Sequence, residues 1–187
     1  MNRDSRQVLT ELFVLHAQRG SERAFTGLHQ VWHLDFLRFA IGKLGREEFA
    51  RDVTQDTWVA IARGLRRLDD PACFPRWAFR ILDRRCADWI RRRQTDRRRS
   101  DALEAEAELN NAADANANRE SNEEITALRE AISHLDSDAR ELLHLFYETG
   151  LSVNEIAEVL DVPAGTVKSR LFNTRESLRQ KMERMKS

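Results

Sequence analysis

The stretch Gly150-Leu151-Ser152-Val153-Asn154-Glu155-Ile156-Ala157-Glu158-Val159-Leu160-Asp161-Val162-Pro163-Ala164-Gly165-Thr166-Val167-Lys168-Ser169-Arg170-Leu171 encodes two short helices and the turn between them. Ser152 with Glu155 three positions on has the form of a capping box, in which each side chain satisfies a backbone N–H that the first helical turn leaves open. Val153, Ile156, Ala157 and Leu160 then fall on one helical face. Asp161-Val162-Pro163 ends that helix and places proline at the first turn of the next, where its missing N–H costs nothing. Two short amphipathic helices joined by a tight turn form a helix-turn-helix. A plain helical hairpin shows the same stripes, so this pattern alone tilts only slightly toward DNA binding.

The second of these helices can be unwrapped at about 100° per residue. Val167, Leu171, Thr174 and Leu178 gather on the side that must pack. Ser169 points away from it, with Phe172 and Asn173 beside it and Thr166, Lys168 and Arg170 on the flanks. Ser, Asn, Lys and Arg in the first half of a helix suit hydrogen bonding to base edges in a major groove, and Arg175, Arg179 and Lys181 suit phosphates. A merely solvated polar face has the same composition. Phe172 shifts the balance, because an outward aromatic is costly in water unless something covers it.

Working outward, residues 123–187 read as four helices, the second with Ala139, Leu142, Leu143 and Phe146 as its buried stripe. Upstream lies a segment of different composition: residues 100–122 are rich in Ala, Asn, Asp and Glu, with Leu103 and Leu109 as their only large apolar side chains. Such a segment cannot bury enough surface to offset its ordering entropy, which predicts an acidic linker. Residues 1–99 then form a first domain, with helices from about Ser5 to Arg19, Glu22 to Leu44, Glu47 to Arg67 and Phe74 to Arg93. Gly20, Gly45 and the Asp69-Asp70-Pro71 turn separate them. Seven Gly and three Pro in 187 residues, with no sustained alternation, predict an all-α chain of two small helical domains.

Net charge sharpens that division. The chain sums to zero, but residues 1–100 carry 21 basic and 13 acidic side chains, 101–140 carry 3 and 11, and 141–187 carry 7 and 7. Neutrality is therefore a cancellation between a basic first half and an acidic middle, and does not exclude a nucleic-acid partner. The basic excess concentrates in the fourth helix, where Arg76, Arg80, Arg84 and Arg91 lie near one side beside Trp77, Phe79 and Trp89. The run Arg91-Arg92-Arg93 follows. Guanidinium groups attract the phosphate backbone and aromatic rings offer platforms for unstacked bases, although Trp77 and Trp89 also suit a core. On the third helix, Val53, Thr57, Ala60, Ile61, Gly64, Leu65 and Leu68 face inward, leaving Asp52, Gln55, Asp56, Val59 and Arg63 outward. That face suits a protein partner and equally suits solvent.

Other classes find little support. The longest apolar run is five residues, Trp58 to Ala62, against the ~20 needed to span a bilayer. Met1 to Gln7 is polar and Leu12 to Leu15 is too short for a secretory leader, so a cytoplasmic location is expected. Cys73 and Cys86 stand thirteen apart without a CxxC pattern, suggesting neither a disulfide framework nor zinc. His29 and His33 share a helix face but lack a third ligand of suitable spacing, so no metal site is expected. No cofactor is expected either, and the nucleotide-binding and hydrolase motifs are absent, which predicts a chain without an enzymatic role.

Three segments together resemble a known family. Asp52-Val53-Thr54-Gln55-Asp56-Thr57-Trp58 is similar to the D-x-V-Q-D/E-T-F stretch of the extracytoplasmic-function sigma factors, the small two-domain sigma-70 subunits of bacterial RNA polymerase. Phe74-Pro75-Arg76-Trp77-Ala78-Phe79-Arg80-Ile81 and Asp88-Trp89-Ile90-Arg91-Arg92-Arg93 resemble their F-x-x-W-L-Y-R-I and D-Y-L-R-R-R segments. The helix-turn-helix quoted above resembles their minus-35 reading motif. The resemblance implies that Asp52, Gln55, Asp56 and Val59 meet the core polymerase, at its beta-prime clamp. It implies that the Leu68 to Phe74 loop, including Asp69, holds a flipped base of the minus-10 element, with Trp77, Arg80, Arg84, Arg91 and Arg92 near the melted strand. Thr166, Lys168, Ser169, Arg170, Phe172, Asn173 and Arg175 would read or clamp the minus-35 duplex. Core polymerase, with its beta and beta-prime subunits, and promoter DNA are the implied partners, an anti-sigma factor a further one, without membrane insertion. Arg51, Thr54, Arg84 and Asn173 depart from the family's commoner acidic residue, Val, Asn and Arg or His at those positions. The alternative is a stand-alone helix-turn-helix transcriptional regulator, which gives no reason for the Asp52 to Trp58 segment.

Overall fold

The structure is a computed structural model that describes residues 3–100 and 123–185. The predicted linker, apart from Ser100, lies outside the described residues. Every regular element among the described residues is helical, and the chain divides into two compact units, Met1–Ala112 and Ala113–Ser187.

In the first unit α1 (Arg3–Gln18), α2 (Glu22–Leu44), α3 (Glu47–Gly64) and α4 (Phe74–Ser100) surround an aromatic core. The boundaries have local causes. The Ser21 side chain accepts from the Ala24 N–H to start α2, and Gly45, at φ 71°, ends it in the left-handed conformation that glycine adopts at least cost. Trp32, Phe36, Phe39, Phe74 and Phe79 are almost wholly buried. Phe36 meets Phe79 edge to face at 4.9 Å, and the Trp32 indole N–H donates to Thr10 Oγ1 at 3.0 Å, so α1, α2 and α4 are joined through one cluster. Arg6 lies over the Trp32 ring and pairs with Asp35, which satisfies a carboxylate set close to the core.

α3 ends earlier than its periodicity suggests. After Gly64 the chain tightens into a 3-10 turn at Leu65–Arg67, which keeps Leu65 buried while redirecting the backbone. Gly64 has a packing reason: a Cβ there would sit 3.0 Å from the Trp77 ring. α4 runs seven residues beyond the expected Arg93, to Ser100, carrying the arginine run as helix.

The second unit contains α5 (Glu123–Ser133), α6 (Ser137–Leu143), α7 (Val153–Leu160) and α8 (Ala164–Met185). α6 starts at Asp136, whose side chain accepts from the Ala139 N–H, and runs on into a π-helical turn at His144–Glu148. That wider turn shifts the register of the faces. Leu142 and Leu145 are buried, whereas Leu143 and Phe146, expected in the core, are half-buried and Tyr147 is exposed. The capping box at Ser152 and Glu155 is complete, and Asp161 closes α7 at φ 53°. Ile156, Val159, Val167 and Leu171 then lock α7 against α8.

Candidate nucleic-acid interface

α8 presents its faces as the helical unwrapping predicts. Val167, Leu171 and Thr174 are buried and Leu178 half-buried, while Lys168, Ser169, Arg170, Asn173 and Arg175 are exposed. Phe172 is 64% exposed, too open to be a core side chain. Thr166 is half-buried, and its carbonyl accepts the Ser169 hydroxyl at 3.0 Å. The Arg175 Nε donates back to the Leu171 carbonyl at 3.2 Å, holding its stem along the helix. The result is a row of donors and one aromatic edge on the second helix of a helix-turn-helix, the position that enters a major groove.

In the first unit the segment from Leu65 to Phe74 is held from both sides. From α1, Gln18 Nε2 donates to the Leu65 carbonyl at 3.0 Å and the Leu68 carbonyl at 2.7 Å. Within the loop, Asp70 accepts from the Ala72 N–H at 2.9 Å and from the Cys73 thiol at 3.3 Å. Arg76 Nη2 reaches the Cys73 sulfur at 3.0 Å. Burial, then the hydrogen bond to Asp70, pushes the Cys73 thiol above its ordinary range, which makes it a poor thiolate. Leu68 is half-buried and Asp69 exposed at the loop's outer edge. Gln18 lies some fifty residues away in sequence and carries no motif, so only the packing of α1 could identify it.

Beyond the loop, Arg80, Arg84, Arg91 and Arg92 are exposed and Trp77 is half-buried. Arg91 is engaged by Asp88 at 2.5 Å, one turn back, in an exposed pair of small energetic worth. Phe74 requires a correction. It is wholly buried, with its ring 6.3 Å from Trp32 and 6.1 Å from Trp77, so it anchors the loop to the core and is not a DNA-facing group.

On α3, Asp52, Gln55, Asp56 and Val59 are exposed together with Arg63. Asp56 has a distant partner in Arg85 on α4, at 3.8 Å. Arg51 turns to Glu47, with Nε 3.0 Å from Oε1, so the unexpected base on this face is partly answered by its own helix. The inward side is broader than the single predicted stripe. Thr54 and Trp58 are also buried, because α3 packs on α2 as well as α4; Trp58 lies 5.1 Å from Phe36 and 4.7 Å from His29. The Thr54 hydroxyl therefore lies in the core and not on the outward face of α3. His29 and His33 stack at 4.5 Å with nearly parallel rings, a geometry that does not converge two nitrogens on one ion. Burial, then the neighbouring His33, lowers the His29 pKa.

Two family models match these units: Sigma-70 region 2 over residues 28–95, and Sigma-70, region 4 over residues 125–178. The chain is 30% identical over 172 residues to the RNA polymerase sigma-H factor of Pseudomonas aeruginosa, covering 88% of this chain and 89% of that one. The chain belongs to the extracytoplasmic-function sigma factors of the sigma-70 family. The ECF RNA polymerase sigma-E factor of Escherichia coli is 28% identical over 190 residues, covering 96% and 97% of the two chains. Two solved structures share the fold. The sigma factor RpoE of Bartonella quintana, in complex with the anti-sigma factor NepR, aligns with TM-score 0.62 and 22% identity over 85% of this chain and 96% of that one. CnrH, in complex with the cytosolic domain of CnrY, aligns at 0.60 and 24% over 94% and 97%. As a sigma factor this chain directs RNA polymerase to promoters, and a stand-alone regulator is not favoured because region 2 accounts for the first unit. No helix among the described residues is long and apolar enough to cross a membrane.

Proposed function

We propose that the two units divide the promoter between them, with an acidic tether across residues 100–122 as the join. The first unit docks on the beta-prime clamp of core polymerase through Asp52, Gln55, Asp56 and Val59. Its Leu68–Asp70 loop receives a flipped base of the minus-10 element, and Trp77, Arg80, Arg84, Arg91 and Arg92 line the melted strand. The second unit sets register on the minus-35 duplex through Lys168, Ser169, Arg170, Asn173 and Arg175, with Phe172 against a thymine methyl. The observation that carries this reading is the face of α8. Exposed donors and a largely exposed phenylalanine surround a buried Val167, Leu171 and Thr174 on the second helix of a helix-turn-helix.

The chain performs no chemistry of its own in this scheme. Unstacking a base costs a few kcal/mol, and contacts to the extruded base and to phosphates offset it. The protein works in the cytoplasm, and an anti-sigma factor of the kind named in the NepR complex restrains it. Run-off transcription with purified core polymerase and genomic promoter fragments is the test. Promoter-dependent initiation that requires this chain is expected; a chain that neither binds core nor confers promoter dependence would overturn the reading.

A further inference from the structure

On the proposed reading, DNA meets α4 through Arg80, Arg84, Arg91 and Arg92. Beside that row lies an arrangement it does not use. Phe49, in the first turn of α3, and Trp89, on α4, pack with ring centroids 4.6 Å apart and their planes tilted by 37°. The Arg93 guanidinium lies 4.4 Å from the Phe49 centroid and 5.0 Å from that of Trp89. Arg46, contributed from the turn after Gly45, lies 4.9 Å from the same Phe49 ring. The two guanidinium carbons can be no further apart than their two distances to Phe49 laid end to end. Each guanidinium offers N–H groups that can make charge-assisted bonds of roughly 2.8 Å to a phosphate oxygen.

Local stability does not explain this choice of residues. Arg46 is the N-cap of α3, yet its side chain makes no capping bond, and a cation stands at the positive end of the helix dipole. A cation–π staple between α3 and α4 needs one guanidinium; a second on the same ring adds repulsion. Glu48 lies 3.8 Å from Arg46, and both side chains of that pair are largely exposed. An exposed pair of that kind contributes little. Two guanidinium groups beside one ring suit an anion with two or more acceptor oxygens.

We propose that Arg46 and Arg93 form a clamp for a backbone phosphodiester of promoter DNA, held in position by the tilted Phe49–Trp89 ring pair. The proposal rests on the sigma-factor reading of α4 and extends its DNA contact to the start of α3. Its test exploits counterion release: each phosphate contact contributes about one unit to the slope of log affinity against log salt. The full chain bound to core polymerase is titrated with a fork-junction DNA of fixed sequence across a range of salt. Wild type is compared with Arg46→Gln, Arg93→Gln, the double variant, and Arg23→Gln on α2 as an unrelated surface control. Each single variant should lower the slope by about one unit and the double by about two, with affinity for core unchanged and the control like wild type. An unchanged slope overturns the clamp, whether or not the melting temperature falls, since a packing staple would move only the latter. Weaker core binding with an unchanged slope overturns it too, by assigning this face to polymerase. Failure of the wild-type chain to bind core at all would remove the parent reading, and the clamp with it.

Discussion

Two threonines on α3 should respond in opposite ways to the same substitution. Both Thr54 and Thr57 are wholly buried. The Thr57 hydroxyl donates to the Val53 carbonyl at 2.8 Å, whereas the Thr54 hydroxyl has no hydrogen-bond partner among the described residues. A buried polar group without a partner costs about 1–3 kcal/mol, and a satisfied hydrogen bond contributes about 0.5–1.5 kcal/mol net. Thr→Val replaces the hydroxyl by a methyl of similar shape. Thr54→Val should therefore stabilise the first unit by about 1 kcal/mol or more, while Thr57→Val should be neutral or destabilise by up to about 1 kcal/mol. For a domain near this size, 1 kcal/mol shifts the melting temperature by about 4–8 °C. All four tryptophans, Trp32, Trp58, Trp77 and Trp89, lie in the first unit, so urea unfolding followed by tryptophan fluorescence reports that unit alone. A Thr54→Val midpoint at or below that of Thr57→Val would refute the account of the hydroxyl. Core-polymerase affinity should not change, because the side chain is sealed from that surface; a loss at preserved stability would refute the orientation of α3.

Three further outcomes follow from the same geometry. Leu171→Ala should cost about 2–5 kcal/mol of stability in the second unit, as a buried leucine does, whereas Phe172→Ala should leave thermal melting by circular dichroism within about 1 kcal/mol and instead weaken minus-35 binding by about 1–3 kcal/mol; equal melting losses would contradict the faces of α8. Gln18→Met removes both donors to the Leu65 and Leu68 carbonyls while filling similar space, and should slow open-complex formation on duplex promoters but not on premelted ones, with core affinity unchanged; equal activity on both templates would remove the loop-positioning role. Because His29 is depressed below the ordinary histidine value, the folded state binds fewer protons than the unfolded one, so the first unit should be fully stable above about pH 6.5 and lose stability as pH falls below it. His29→Gln should flatten that dependence in urea midpoints measured across the range; an unaltered slope would assign it to another group.

What could be read from sequence was what local chemistry determines. Ser21, Gly45, Ser152 with Glu155, and Pro163 mark helix ends whose causes lie within a few residues. The faces of α8 followed from periodicity because one side of that helix packs and the other does not. Where a helix meets two neighbours the rule gave too narrow a core: Thr54 and Trp58 look outward-adjacent on a wheel, but α2 and α4 both cover α3. The π-helical turn at His144–Glu148 adds a residue to the turn without a sequence marker, which brought Leu145 inward and left Phe146 at the margin. Phe74 resembled a loop residue near DNA, yet its ring completes the aromatic core. Gln18 and the Arg46–Phe49–Trp89–Arg93 group depend on contacts between separated elements, and no spacing within one helix could disclose them.

The hydrogen bonds around the Leu65–Phe74 loop matter because the proposed function has no chemical step in which to recover lost precision. A factor that melts DNA acts by binding the unstacked state better than the duplex, so the contacts must together offset a few kcal/mol per extruded base. A loop that had to be ordered at the moment of capture would lose about 1–2 kcal/mol for each residue fixed, enough to erase that margin over its short length. Gln18 and Asp70 instead settle the backbone before DNA arrives, each bond contributing about 0.5–1.5 kcal/mol. The same reasoning applies at α8, where the Ser152–Glu155 box and the left-handed Asp161 fix the turn in advance. Recognition by this chain is then limited by the fit of pre-set surfaces. Substitutions behind those surfaces should act on promoter opening as strongly as substitutions on them, provided the units remain folded.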